Sequence, residues 1–127
     1  MKSNLEECVD EALERRLNEL NFTRSEQLLG DCYYNTKILI EVLEEHNITY
    51  DVFCGGLAGD YSKGSIPESF EIARNAGFVH YWVESNGFVC EIAGECSLGK
   101  PIVISERPDD YIVFNDSRRD SLPDFNN

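Results

Sequence analysis

Three residues of this chain have the types that nucleophilic acyl transfer requires: Cys32 in "GDC", His80 in "FVHYWVE" and Glu91 in "FVCEIAG". A thiol supplies the nucleophile, an imidazole moves its proton near working pH, and a carboxylate fixes the imidazole tautomer and steadies the imidazolium. Cys32 opens a segment of helical periodicity, so it would stand at the positive end of a helix dipole, which favours thiolate. Asp31 beside it opposes a second negative charge. As the helix N-cap it would instead turn its oxygen toward backbone N–H groups. Gly30 would permit a close backbone approach just ahead of the nucleophile. Taken alone, a cysteine at a helix start is more often a buried packing residue than a nucleophile.

A turn joins His80 to Glu91. "NG" at Asn86-Gly87 is the preferred pair for a two-residue type I′ hairpin. That register sets Ser85 opposite Phe88, Glu84 opposite Val89, Val83 opposite Cys90 and Trp82 opposite Glu91. Alternation then puts His80, Trp82, Glu84 and Glu91 on one face, with His80 and Glu91 as diagonal neighbours. A three-residue loop would send Glu91 to the opposite face. The spacing alone leaves His80 open as a half-buried sheet residue beside Trp82. Glu95 and Asp51 are the other carboxylates within consideration.

The elements that must carry these residues are legible in the pattern. Residues 4–20 place Leu5, Cys8, Val9, Ala12, Leu13, Leu17 and Leu20 near helical spacing, with charges on the other face. A second helix is predicted over roughly 32–46, with Leu39, Val42 and Leu43 buried and His46 near its C-terminal end as a cation against the dipole. "ITYDVFC" (48–54) has strand composition and ends at Gly55-Gly56. A long connection over 55–77, with a short helix near 67–75, offers Tyr61 and Phe70 as substrate-facing residues. Strands follow from Phe78 onward. Helices first and antiparallel strands afterwards predict one α+β domain over 1–114, with 115–127 as a flexible C-terminal tail.

Composition excludes several function classes. The chain has 127 residues, 24 acidic against 11 basic, for a net charge of −13. Such a surface repels bare nucleic acid and anionic membrane, and it fits either an ordinary acidic domain or a salt-adapted one. No apolar run is long enough to span a bilayer, and the N-terminus shows no secretory pattern, which points to a cytoplasmic product. Five cysteines without a CxxC argue against a disulfide framework. A zinc site from His80, Cys90 and Cys96 lacks a familiar ligand spacing.

"GDC" at a helix start, a helix and strand ending in "CGG", and then "HYWVE" followed by a hairpin resemble the transglutaminase-like branch of the papain-like cysteine enzymes. The small leader peptidases of lasso-peptide biosynthesis are similar in arrangement. The likeness runs from Gly30 to Glu91, about half of the chain, with "HYWVE" its most specific part. It implies a papain/transglutaminase-like core in which N-terminal helices pack on an antiparallel sheet. It also implies Cys32 as nucleophile, His80 as base, and Glu91 in the place where the family has aspartate. Tyr81 stands where the family has a small residue. Gln27 resembles the glutamine that papain-like peptidases place before their cysteine, and Trp82 would shield the His80–Glu91 bond or pack in the sheet. The expectation is a thiol hydrolase or acyltransferase of peptidase or amidase type. It would act on a peptide or protein through a thioester, with neither metal nor organic cofactor. Its alternative is a catalytically inactive module of the same fold that binds or inhibits a protein.

Overall fold

A computed structural model describes residues 2–61 and 64–125. Helix α1 (Lys2–Leu20) lies beside α2 (Cys32–Glu45), and both cover one face of an antiparallel sheet. Six strands follow: β1 (Asp51–Leu57), β2 (His80–Ser85), β3 (Phe88–Glu91), β4 (Ile102–Ile104), β5 (Tyr111–Ile112) and β6 (Arg118–Arg119). Their order is β4-β3-β2-β1-β5, with β6 on β1 beside β5. A short helix, α3 (Phe70–Ala76), packs against β1. The α+β architecture with helices on an antiparallel sheet is therefore as predicted.

The core between helices and sheet follows from the helical stripes. Leu5, Cys8, Val9 and Ala12 of α1 meet Leu39, Val42 and Leu43 of α2, and both sets press on Val83 and Cys90. The stripe ends early: Leu13 and Leu17 are only partly buried and Leu20 is exposed. Arg16 takes a buried position instead, because its guanidinium has three acceptors waiting.

The Asn86-Gly87 turn sets the hairpin register. Both residues have positive φ (52° and 83°), the type I′ requirement, and Ser85, Glu84 and Val83 pair with Phe88, Val89 and Cys90. Three expectations need revision. Strand β1 does not stop at the glycines but runs through them to Leu57, since a side chain at Gly55 would strike the Ile112 carbonyl at 2.1 Å and the Trp82 ring at 2.7 Å. The glycine lets β5 and Trp82 close in.

The connection after β1 is not a loose substrate-facing loop. Tyr61 and Phe70 are both buried, the Tyr61 hydroxyl donating to the Phe78 carbonyl. Residues 62 and 63 lie outside the described residues. The segment set apart as a tail is built into the domain. β6 pairs with Val52 and Phe53, Asp116 accepts from the first N–H of α3, and Tyr33 donates to the Pro123 carbonyl at 2.6 Å. Polar composition had masked these long-range bonds; residues 126 and 127 lie outside the described residues.

Candidate active site

The position of Cys32 is made by a turn and a buried arginine. Gly30 adopts φ +86°, a left-handed conformation that disfavours a side chain, and nothing lies within 4 Å of where a Cβ would stand. Its role is thus conformational, not the close approach expected from the sequence. The chain then enters α2 at Cys32, which is partly exposed. Asp31 occupies the N-cap position but makes no side-chain capping bond, contrary to expectation. Its carboxylate pairs with Arg16 instead. That guanidinium also bonds Glu19 at 2.6 Å and the Asn35 side-chain oxygen at 3.3 Å, while Asn35 donates to the Leu28 carbonyl at 3.0 Å. One cation therefore ties α1, the "GDC" turn and the first turn of α2 together, and it offsets the acid next to the thiol.

The base position is made by the hairpin. His80 begins β2, and Thr36 on α2 donates to the neighbouring Tyr81 carbonyl at 3.1 Å, clasping the start of α2 to the start of β2. The His80 Nε2 lies 2.6 Å from Glu91 Oε1, with both side chains buried (1% and 6% exposed). A carboxylate only accepts, so Nε2 carries the proton. The Cys32 sulfur lies near enough to the same imidazole to raise its affinity for a proton. With Nε2 committed to Glu91, Nδ1 is the nitrogen left for the sulfur. Burial works to lower the affinity of His80 for its second proton, but Cys32 and the bond to Glu91 outweigh it and push its pKa up to about 10.

Aromatic rings close the site. Trp82, fully buried, stacks on His80 at 5.6 Å and on Phe53 at 5.6 Å, and its indole N–H donates to Glu84 at 2.8 Å. Tyr111 sets its ring edge against His80 at 5.0 Å and against Trp82 at 4.9 Å. Its hydroxyl donates to Glu91 Oε2, so both carboxylate oxygens are engaged. Burial, then the Glu91 charge, keeps the Tyr111 phenol protonated far above its usual range. Beside Cys32 and Glu91, the space lined by Asn35, Thr36, Leu39, Tyr81, Ile92 and Ala93 measures about 10 Å³, room for one water.

Of the residues singled out from sequence, Cys32, His80, Glu91 and Trp82 come together. Gln27 and Tyr61 do not join them. The Gln27 carboxamide oxygen accepts from the N–H groups of Thr23 and Arg24 at 2.9 Å each, closing its own turn on an exposed side of the chain. Glu95 accepts from the Gly30 N–H at 3.4 Å, and Asp51 pairs with Arg118 on the surface, so neither competes for His80. His46 caps α2 and meets Glu11 at 3.1 Å. Cys90 points to the helix side of the sheet, opposite His80, by strand alternation. Among the described residues no three His, Cys, Asp or Glu side chains are grouped to hold a metal ion.

Arg16, Asn35 and Tyr111 are site-building residues that the sequence reading did not name. Strands are expected from Phe78 onward, but only the pairing of β5 with Gly56 and Leu57 brings Tyr111 to the site. Among the described residues no helix is long and apolar enough to cross a membrane. No family model matches the chain, and neither a curated protein nor a solved structure matches it.

Proposed function

We propose that this protein is a thiol hydrolase or acyltransferase of peptidase or amidase type, built on a papain/transglutaminase-like core, with Cys32, His80 and Glu91 as its triad. One observation carries the reading: a single buried imidazole holds Glu91 on one nitrogen at 2.6 Å and has a partly exposed thiol at a helix start close enough to raise its proton affinity. A structural histidine has no need of both.

The chemistry follows from that arrangement. The Cys32 sulfur adds to an amide or ester carbonyl, and the C–S bond forms as negative charge moves to the carbonyl oxygen. The Cys32 backbone N–H, unbonded within the first turn of α2, is the natural donor to that oxygen. The C–N bond then breaks, with His80 giving its proton to the leaving amine, and a Cys32 thioester remains. Water or a second amine next attacks the thioester. Its proton passes to His80 and the thiolate leaves. Glu91 holds the imidazole in one orientation through both halves and stabilises its charge whenever it carries the second proton. The substrate class is a peptide or protein amide.

A binding or inhibitory module of the same fold is the second reading, favoured by the narrowness of the space beside Cys32. A small activated ester separates the two. With p-nitrophenyl acetate, the enzyme reading expects a burst of p-nitrophenolate stoichiometric with protein and an acetyl group on Cys32 by mass spectrometry, both lost in Cys32→Ala and His80→Ala. No burst and no acetylated Cys32 in the wild type would leave the binding module.

A further inference from the structure

We propose that Tyr111 is a positioning residue of the triad, pinning Glu91 from behind so that its carboxylate stays aimed at His80. The inference rests on the Cys32–His80–Glu91 reading given above. A glutamate arm has one more rotatable bond than an aspartate, so holding it on an imidazole costs more side-chain entropy. A second anchor solves that problem, and Tyr111 is the anchor: its hydroxyl donates to Oε2 while Oε1 stays on His80.

Three further observations point the same way. Glu91 is buried, so without Tyr111 its second oxygen would be a desolvated acceptor with no donor, which favours turning the carboxylate away from His80. The Tyr111 ring also packs on both His80 and Trp82, so the hydroxyl cannot swing away without unpacking the face. And Tyr111 is delivered by a strand of only two residues, paired to β1 beside Gly55, whose missing side chain makes the room. The titratable groups around this centre are Cys32 from α2, Glu91 from β3, Tyr111 from β5, and Cys96 from the turn at Glu95–Ser97. Glu95 is turned to the Gly30 N–H.

The test is the rate of Cys32 carbamidomethylation by iodoacetamide against pH, mapped by mass spectrometry, in the full chain. Tyr111→Phe, which keeps the ring, is expected to slow Cys32 labelling near pH 6 about tenfold, the scale of one charge-assisted hydrogen bond. The acidic limb of its profile moves up by about one pH unit. Adding Tyr111→Phe to Glu91→Gln brings little further loss, because the two act through one carboxylate.

Should Tyr111→Phe not fold, Glu91→Asp serves, since its shorter arm cannot reach both His80 and Tyr111; the same loss is expected and an unchanged profile overturns the proposal. A Tyr111→Phe profile superimposed on the wild type, in a protein whose labelling does respond to His80→Ala, overturns the Tyr111 role alone. So does a loss that persists undiminished on the Glu91→Gln background. A wild-type Cys32 no faster than a free peptide thiol overturns the triad itself and the Tyr111 role with it.

Discussion

Arg16 and His80 are both basic side chains buried beneath the site, and each is met by a carboxylate, yet the two centres are built for different tasks. Arg16 fans outward to Glu19 and Asp31, whose side chains are 59% and 39% exposed, and its own charge is permanent. It fixes backbone: α1, the "GDC" turn and the Asn35 turn of α2 all end on it. His80 looks inward, to Glu91, to Cys32 and to the rings of Trp82 and Tyr111. Of these, Glu91, Cys32 and Tyr111 can gain or lose protons. One centre places Cys32, and the other sets where a proton rests. A titratable cluster of that kind, enclosed by aromatic rings, is what a catalytic centre requires and a structural clasp does not.

The contrast can be broken by removing one partner at a time. Glu91→Ala should have the largest effect on stability, about 3–5 kcal/mol, because it strands a buried imidazolium and an unpaired phenol. Urea denaturation at neutral pH measures it, and a loss below about 1 kcal/mol would place the pair among weakly coupled surface contacts. Arg16→Met keeps the aliphatic bulk but leaves the Asn35 oxygen unpaired, and should cost about 1–3 kcal/mol. Its loss should be the same at every pH between about 6 and 8.5, unlike the loss at the histidine centre.

The pH dependence sharpens the difference. The His80 proton is held more tightly in the folded chain, from the ordinary 6.5 up to about 10. Its contribution to stability is therefore complete below pH 6.5 and fades as pH rises toward about 10. The buried thiols of Cys54 and Cys90, pushed up to about 12 by burial, add a loss of the same sign only above their ordinary 9.0. Denaturation midpoints taken between about pH 6.5 and 8.5 should thus fall in the wild type and in Arg16→Met, and flatten in His80→Gln. The smallest effect is expected for Cys32→Ala. A small, partly exposed side chain should change stability by no more than about 1 kcal/mol while removing all acyl-transfer chemistry.

The sequence was most informative where local chemistry decides structure. Asn86-Gly87 dictated a register, and from that register came the diagonal contact of His80 and Glu91. Helical stripes similarly located α1, α2 and the apolar side of the sheet. What stayed hidden depends on partners far along the chain. Arg16 reads as a surface charge until Asp31 and Asn35 are brought to it. Gly55 reads as a strand end until Ile112 and Trp82 press on it. The residues after 114 read as a tail because polar composition carries no trace of β6 pairing or of Asp116 at the start of α3. Tyr111 belongs to the same class, since only the two-residue strand β5 delivers it.

The claim at the centre is that one imidazole serves both Cys32 and Glu91. The most direct measurement is the rate at which iodoacetamide alkylates Cys32 near pH 6 in the wild type and in His80→Ala, each compared with a free peptide thiol. A paired thiol predicts wild-type Cys32 reacting at least about tenfold faster than the peptide, with that advantage lost in His80→Ala. Equal rates for wild type, variant and peptide would contradict the pairing and reduce Cys32 to an ordinary cysteine at a helix start.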